Sequence, residues 1–547
     1  MIALHRLAGL ATAACLAAAP PAIAQKGPVV DAPAGVASGL SEGGASVFKG
    51  LPYAQPPVGP KRWTPPAPLP RWTGVKDASR FGPACIQPLS GPGNIYANDP
   101  KAMSEDCLTL DIWTPANASK APVMVWIHGG ALWAGFSNES IYDGAKFAAR
   151  GVIVVSINYR LGVLGYLAHP ALSAESSQGI SGNYGLLDQI EALRWVQRNI
   201  AAFGGDPTNV TIAGQSAGGL SVMYLMAAPD ARGLFSKAIA QSAYMISTPE
   251  LKQGHFGAAP AEEAGLKLAE KVHATDIAAL RALDARALTL AAARAGFAPF
   301  GVVDGKVLPR QLVDVFDRGE QARVPLLAGF NSGEIRSLRG LAPAAPTLRT
   351  TYEKTIRDAY LDRADDFLRL YPSTDMEGSI LAATRDALYG WTAERLARKQ
   401  TALGQPAYFY IFDHGYPAAD DAGLHAFHAA ELPYVFGSLS RTPPYWPKAP
   451  STGDEAKLSD IMLDYWSSFI RTGEPRAEGA PDWPAFGGSE AFMAFQDVPR
   501  VSTHLFPGMF DLNEDVVCRR HANGDVAWNW NVGLYAPKLP ARDPRCD

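Results

Sequence analysis

Apolar and polar positions alternate along this chain in two rhythms. "APVMVWIHGG" and "GVIVVSINYR" are β-branched, apolar runs that end in glycine or polar residues. Runs of this kind read as parallel strands buried on both faces. "YGLLDQIEALRWVQRNIAAFGG" changes period, with Leu186, Leu187, Ile190, Leu193, Val196 and Ile200 at helical spacing and a stop at Gly204-Gly205. "NVTIAG" returns to the strand rhythm and "GGLSVMYLMAA" to the helical one. Strands that alternate with helices predict an α/β fold around a large, mostly parallel sheet. Earlier, "GPVVDAPAGVASGL" and "ASVFKGLPYAQPPVG" turn like short antiparallel strands. Alanine-rich helical stretches at about 255–295 and 350–400 interrupt the alternation. They are expected as helical insertions that cap the sheet edge. "VPLLAGF" and "AYFYIFD" are later strands.

The N-terminus has a different pattern. "MIALHR" is basic, "LAGLATAACLAAA" apolar, and "AIA" ends at Ala24 in a small-x-small site. Residues 1–24 therefore read as a cleavable secretory signal peptide, too short in apolar length to span a bilayer. The remainder, 25–547, is expected to be one domain in the periplasm or outside the cell. Composition changes little in this picture. The 547 residues are 47% hydrophobic and 19% charged, with a formal net charge of -4 and no long basic run, so nothing points to nucleic acid. Apart from Cys15, the cysteines are Cys85, Cys107, Cys518 and Cys546. Four cysteines allow three connectivities. The local one, Cys85–Cys107 with Cys518–Cys546, closes two short loops and suits an oxidising compartment. No CxxC pair or finger-type spacing points to zinc.

The chemistry sits on turns. Gly214-Gln215-Ser216-Ala217-Gly218 joins a strand to a helix. That is the context of a nucleophile elbow, in which glycines let backbones pass closely and the serine is held exposed above the sheet. A serine needs a base. In the chain order serine, acid, histidine, both His425 and His428 qualify. Glu334, just after "VPLLAGFNSG", stands where open α/β sheets place their sites. Asp304 and Asp413 are its rivals, the first reading as a turn and the second as a cap. "HGGALW" at 128–133 follows a strand and can present backbone N–H groups to an oxyanion, with Ala217 adding another.

These motifs, together with "FKGLPYAQPPVGPKRW", "SEDCLTLDIWTP", "NYRLGVLGYL", "GFNSGE" and "HAAELPYVFG", resemble the type-B carboxylesterases, the cholinesterase-like branch of the α/β-hydrolases. The likeness covers nearly the whole mature chain. It implies the triad Ser216, Glu334 and His428, an oxyanion hole of Gly130, Ala131 and Ala217, a Cys85–Cys107 bridge, and no cofactor or metal. The Cys518–Cys546 pair matches no hallmark of that family. Gln215 and Ala131 depart from the usual glutamate and third glycine. Arg336 and Arg339, just past the acid, stand where small or apolar residues are usual, and Trp133 follows the oxyanion turn. All three are expected to touch substrate. An arginine there would hold a substrate carboxylate bidentately, as in an ester of a polycarboxylic acid. Bacterial fumonisin-type esterases of this family act on such side chains. The alternatives are a general aryl or alkyl carboxylesterase or lipase, and a catalytically silent binding member. The expected partner is a small-molecule ester, with the chain a monomer or homodimer.

Overall fold

The computed structural model describes residues 27–91, 93–528 and 531–546. The signal-peptide reading falls outside them. Eleven strands form the central sheet. They are β1 (Leu40–Glu42), β2 (Ala45–Pro52), β3 (Thr109–Pro115), β4 (Ala121–Ile127), β5 (Ile153–Ile157), β6 (Gly205–Gln215), β7 (Lys237–Gln241), β8 (Leu326–Asn331), β9 (Ala407–Phe412), β10 (Ala491–Phe495) and β11 (Arg500–Thr503). Their spatial order is β11-β10-β9-β8-β7-β6-β4-β5-β3-β2-β1. Neighbours from β5 through β10 run parallel, and the ends are antiparallel.

The hydrophobic pattern accounts for this arrangement. Every residue of β4, β5, β7, β8, β9 and β10 is buried, as both-face burial requires. Helices α1 (Tyr184–Asn199) and α2 (Ala217–Ala227) follow the predicted periodicity. Residues 29–32 and 35–38 pair antiparallel, as their turn pattern implies. β4 lies between β5 and β6, so the chain steps out one way and returns the other. That switch point opens a crevice at the carboxyl ends of the strands.

The alanine-rich stretches are helical, but they do not cap the sheet edge. Ala285–Arg294 packs on the short helix Gly162–Tyr166, whereas α3 (Met376–Arg385) and α4 (Trp391–Ala402) flank a π-helical turn, Asp386–Gly390, and α4 lies over β8 and β9. An apolar helix face gains more from the buried sheet face than from an edge strand, which has little side-chain area to offer. Both local bridges form, Cys85–Cys107 and Cys518–Cys546. Among the described residues no helix is long and apolar enough to cross a membrane.

Candidate active site

Ser216 sits between β6 and α2 at φ 58°, ψ -122°. A non-glycine residue held in this region costs about 1–3 kcal/mol and persists only where the surroundings over-determine it. Here they do. The Ser216 N–H donates to Gln241 O at 2.9 Å, across to β7. A Cβ on Gly218 would lie 2.0 Å from Ile127 O, and one on Gly214 would lie 2.5 Å from the backbone of Gly218. The flanking glycines are thus required by backbone contact, and they press the elbow against the end of β4.

Beyond β4 the chain turns at Gly130 (φ 102°), Ala131 (φ 56°) and Leu132 (φ 59°). Among the described residues, none accepts a hydrogen bond from the N–H of Gly130 or Ala131. The turn is fixed from behind. Gln87 exchanges two hydrogen bonds with Gly135, at 2.9 and 3.0 Å. His128 stacks on Tyr159, whose hydroxyl donates to His128 O at 2.8 Å. Burial pushes His128 down to about 4, so it stays neutral and structural.

Glu334 opens a 3-10 turn directly after β8 and is fully buried. Its Oε1 accepts the Asn331 N–H at 2.9 Å, and its Oε2 hydrogen-bonds His428 Nδ1. His428 is itself buried, and its Nε2 faces the side-chain amide of Gln215 at 3.2 Å. The Tyr96 hydroxyl lies 2.9 Å from His428 O and 2.7 Å from Ser337 Oγ, which ties the histidine loop to the Cys85–Cys107 segment. Beneath Glu334, Glu431 accepts from Asn331 at 2.7 Å and Gln241 at 3.0 Å. Burial, reinforced by the charge of Glu334, raises it to about 7.

The rival residues are occupied elsewhere. His425 is bound to Asp420 at 2.8 Å and Asp413 at 3.3 Å in a half-exposed cluster. Asp304 accepts backbone N–H groups of Lys306 and Val307, both at 2.8 Å, and the Asn183 amide at 2.9 Å, closing a turn.

Ser216, Gln215, His428, Gly129, Gly130 and Ala131 line one cavity of about 500 Å³. This geometry is accompanied by close relatives. The model of the carboxylesterase family matches residues 26–510. The chain belongs to the carboxylesterase family. The Bacillus subtilis para-nitrobenzyl esterase is 38% identical over 467 residues, which cover 83% of this carboxylesterase and 91% of that protein. The fumonisin B1 esterase of Sphingopyxis macrogoltabida is 37% identical, over 83% and 84% respectively. A solved PNB esterase superposes with a TM-score of 0.75 at 32% identity, covering 87% of this chain and 97% of that one. The present chain is accordingly a carboxylic-ester hydrolase of α/β-hydrolase fold, acting on small-molecule esters.

The three side chains expected to touch substrate do not line the cavity. Arg336 is exposed and donates to Gly423 O at 3.1 Å, and Arg339 is exposed and paired with Glu377 at 3.0 Å. Arg336 closes the same 3-10 turn that Glu334 opens, and Arg339 opens the next one, and both point outward while Glu334 is buried. Trp133 packs edge-on against Phe297 and over Gly162. The cavity wall is built instead from Tyr96, Tyr142, Tyr244, Tyr389 and Trp446, with Glu139 and Asp99. None of these lies in a motif. Tyr96 is the single aromatic residue between Cys85 and Cys107, and no spacing in the sequence singles it or Asp99 out.

Proposed function

We propose that this chain is an exported serine carboxylesterase working through an acyl-enzyme, with residues 25–547 as a single catalytic domain. The observation that carries the reading is the Glu334–His428 hydrogen bond beside the Ser216 elbow in one cavity. Ser216 Oγ attacks the ester carbonyl carbon as its proton passes to His428 Nε2. The N–H groups of Gly130, Ala131 and Ala217 hold the oxyanion. The imidazolium then returns the proton to the departing alkoxide, leaving Ser216 acylated. Water, deprotonated by the same Nε2, releases the acid. Glu334 keeps its charge throughout and stabilises the imidazolium. In the resting geometry the Gln215 amide occupies the face of Nε2 that must take the serine proton. Catalytic hydrogen bonds of this kind are often loose before substrate binds. The leader of 24 residues and the two disulfides support export.

The test is substitution. Ser216→Ala and His428→Ala should each lower kcat on a neutral aryl ester by at least about 10³-fold with the fold retained, since triad members act as a unit. His425→Ala should stay near wild type. More than a few per cent of wild-type turnover in Ser216→Ala would end this reading.

A second reading, an ester of a polycarboxylic acid, is favoured by the relative named for fumonisin B1. The arginines that suggested it lie outside the cavity, so a panel of neutral and anionic esters compared by kcat/KM decides it.

A further inference from the structure

The charge of the cavity wall is one-sided. Glu139, on the loop after the oxyanion turn, faces the cavity with Asn98 and Asp99 beside it, and no lysine or arginine is among the lining residues. Asp99 Oδ1 is used by the Ser90 N–H at 2.7 Å. Glu139 has the longer side-chain contact. Its carboxylate has the Phe136 N–H and a long 3.5 Å contact from Asn98 Nδ2 to Oε2. A carboxylate has about four acceptor positions, so acceptor capacity is left facing the space where substrate sits. Burial raises Glu139 to about 7, as expected of a carboxylate without a cationic partner. The neighbouring walls carry Tyr96, Tyr142 and Trp446, aromatic rings of the kind that attract a cation.

We infer that Glu139 sets substrate choice: this wall takes up a protonated primary or secondary amine carried on the ester and rejects a carboxylate placed there. The inference rests on the proposed esterase reading of the cavity. An N–H-bearing cation fills the open acceptor positions of Glu139, whereas a quaternary ammonium presents only methyl groups and gains the ring contacts alone.

The experiment compares aryl esters of one skeleton that end in a primary ammonium, a trimethylammonium, a methyl or a carboxylate group, at pH 8. Wild-type enzyme should favour the primary ammonium over the neutral ester by roughly 10–100-fold in kcat/KM, the size of one charge-assisted hydrogen bond. The trimethylammonium ester should fall well below the primary one and the carboxylate ester below the neutral one. Glu139→Gln should collapse the ammonium-to-neutral ratio to within about threefold of unity, whatever happens to the absolute rates, and Glu139→Asp should keep part of it. Equal preference for both cations would assign selection to the rings and overturn the proposal. So would a flat wild-type panel, a preference for the carboxylate, or a ratio that survives Glu139→Gln. A fluorophosphonate that labels Ser216 keeps the two levels apart. An unlabelled wild type defeats the esterase reading itself, whereas a labelled enzyme without ammonium preference defeats this inference alone.

Discussion

At the scale of single residues, the site depends on atoms that are absent. Gly214 and Gly218 carry no Cβ; the end of β4 fills the space that one on Gly218 would need, and the backbone of Gly218 the space that one on Gly214 would need. Gly218→Ala should therefore cost about 1–3 kcal/mol, the usual penalty for overpacking. It should also lower kcat, because the clashing atom, Ile127 O, belongs to the strand that leads into the proposed oxyanion turn. Gly453→Ala is the control, since a Cβ there meets nothing within 4 Å. Denaturant unfolding and steady-state kinetics on both variants make the comparison. Wild-type stability and kcat in Gly218→Ala would mean that the elbow is not pinned by this contact.

Elements position what residues perform. The Cys85–Cys107 bridge spans 22 residues, and the segment between its cysteines supplies Gln87, Tyr96, Asn98 and Asp99 to the cavity. The Cys518–Cys546 bridge spans 28 residues and supplies none. Replacing either pair by alanines should cost a similar amount, about 3 kcal/mol on the chain-entropy model. Only the first replacement should raise KM, because only it frees the wall that holds His428 through Tyr96. If both double variants moved KM alike, the bridge would have no special part in shaping the site. The π-helical turn Asp386–Gly390 works in a comparable way. It is anchored by the ion pair of Arg385 with the buried Asp386 at 2.7 Å, and it brings the Tyr389 ring to 5.3 Å from His428. Such turns recur at functional positions.

For the whole molecule, titration of the His425 cluster contributes to stability over a defined range of pH. Burial by itself would raise Asp413, but hydrogen bonds from His425 and Gln496 help bring it down to about 2. His425 is raised, chiefly by its hydrogen bond to Asp413. The depressed carboxylate contributes stability above its unfolded value near 3.9 and loses it as pH falls through about 2. The raised imidazole contributes below its unfolded value near 6.5 and loses it as pH rises through the folded one. Their joint window runs from about pH 4 to 6.5. His425→Gln should then destabilise the protein more at pH 5.5 than at pH 9. Solvent screening at this half-exposed site keeps the difference below about 1 kcal/mol. Urea unfolding at the two pH values measures it, and equal losses would show that the cluster is not an ion pair. Activity should persist in the variant, since His425 lies outside the cavity.

Much of this was legible in the chain itself, because its causes are local. Strand and helix periods, the small residues around Ser216, the glycine turn after β4 and the two short disulfide loops are each encoded within a few dozen residues, and each forms where the pattern places it. The choice of His428 over His425 came from family likeness, since both satisfy the chain order. In the structure His428 is buried and bonded to Glu334, whereas His425 is half-exposed and bonded to Asp420 and Asp413. The character of the cavity was not local at all. Arg336 and Arg339 adjoin Glu334 in sequence, yet the two successive 3-10 turns that hold them leave both exposed. Glu139 and Asn98 are 41 residues apart and meet only when the loops over the sheet close together. The sequence by itself determined the sheet and the serine turn after β6, because backbone propensity and burial pattern act over short spans. Tertiary structure alone decided which charges face the substrate, because that depends on which long-range segments share a wall.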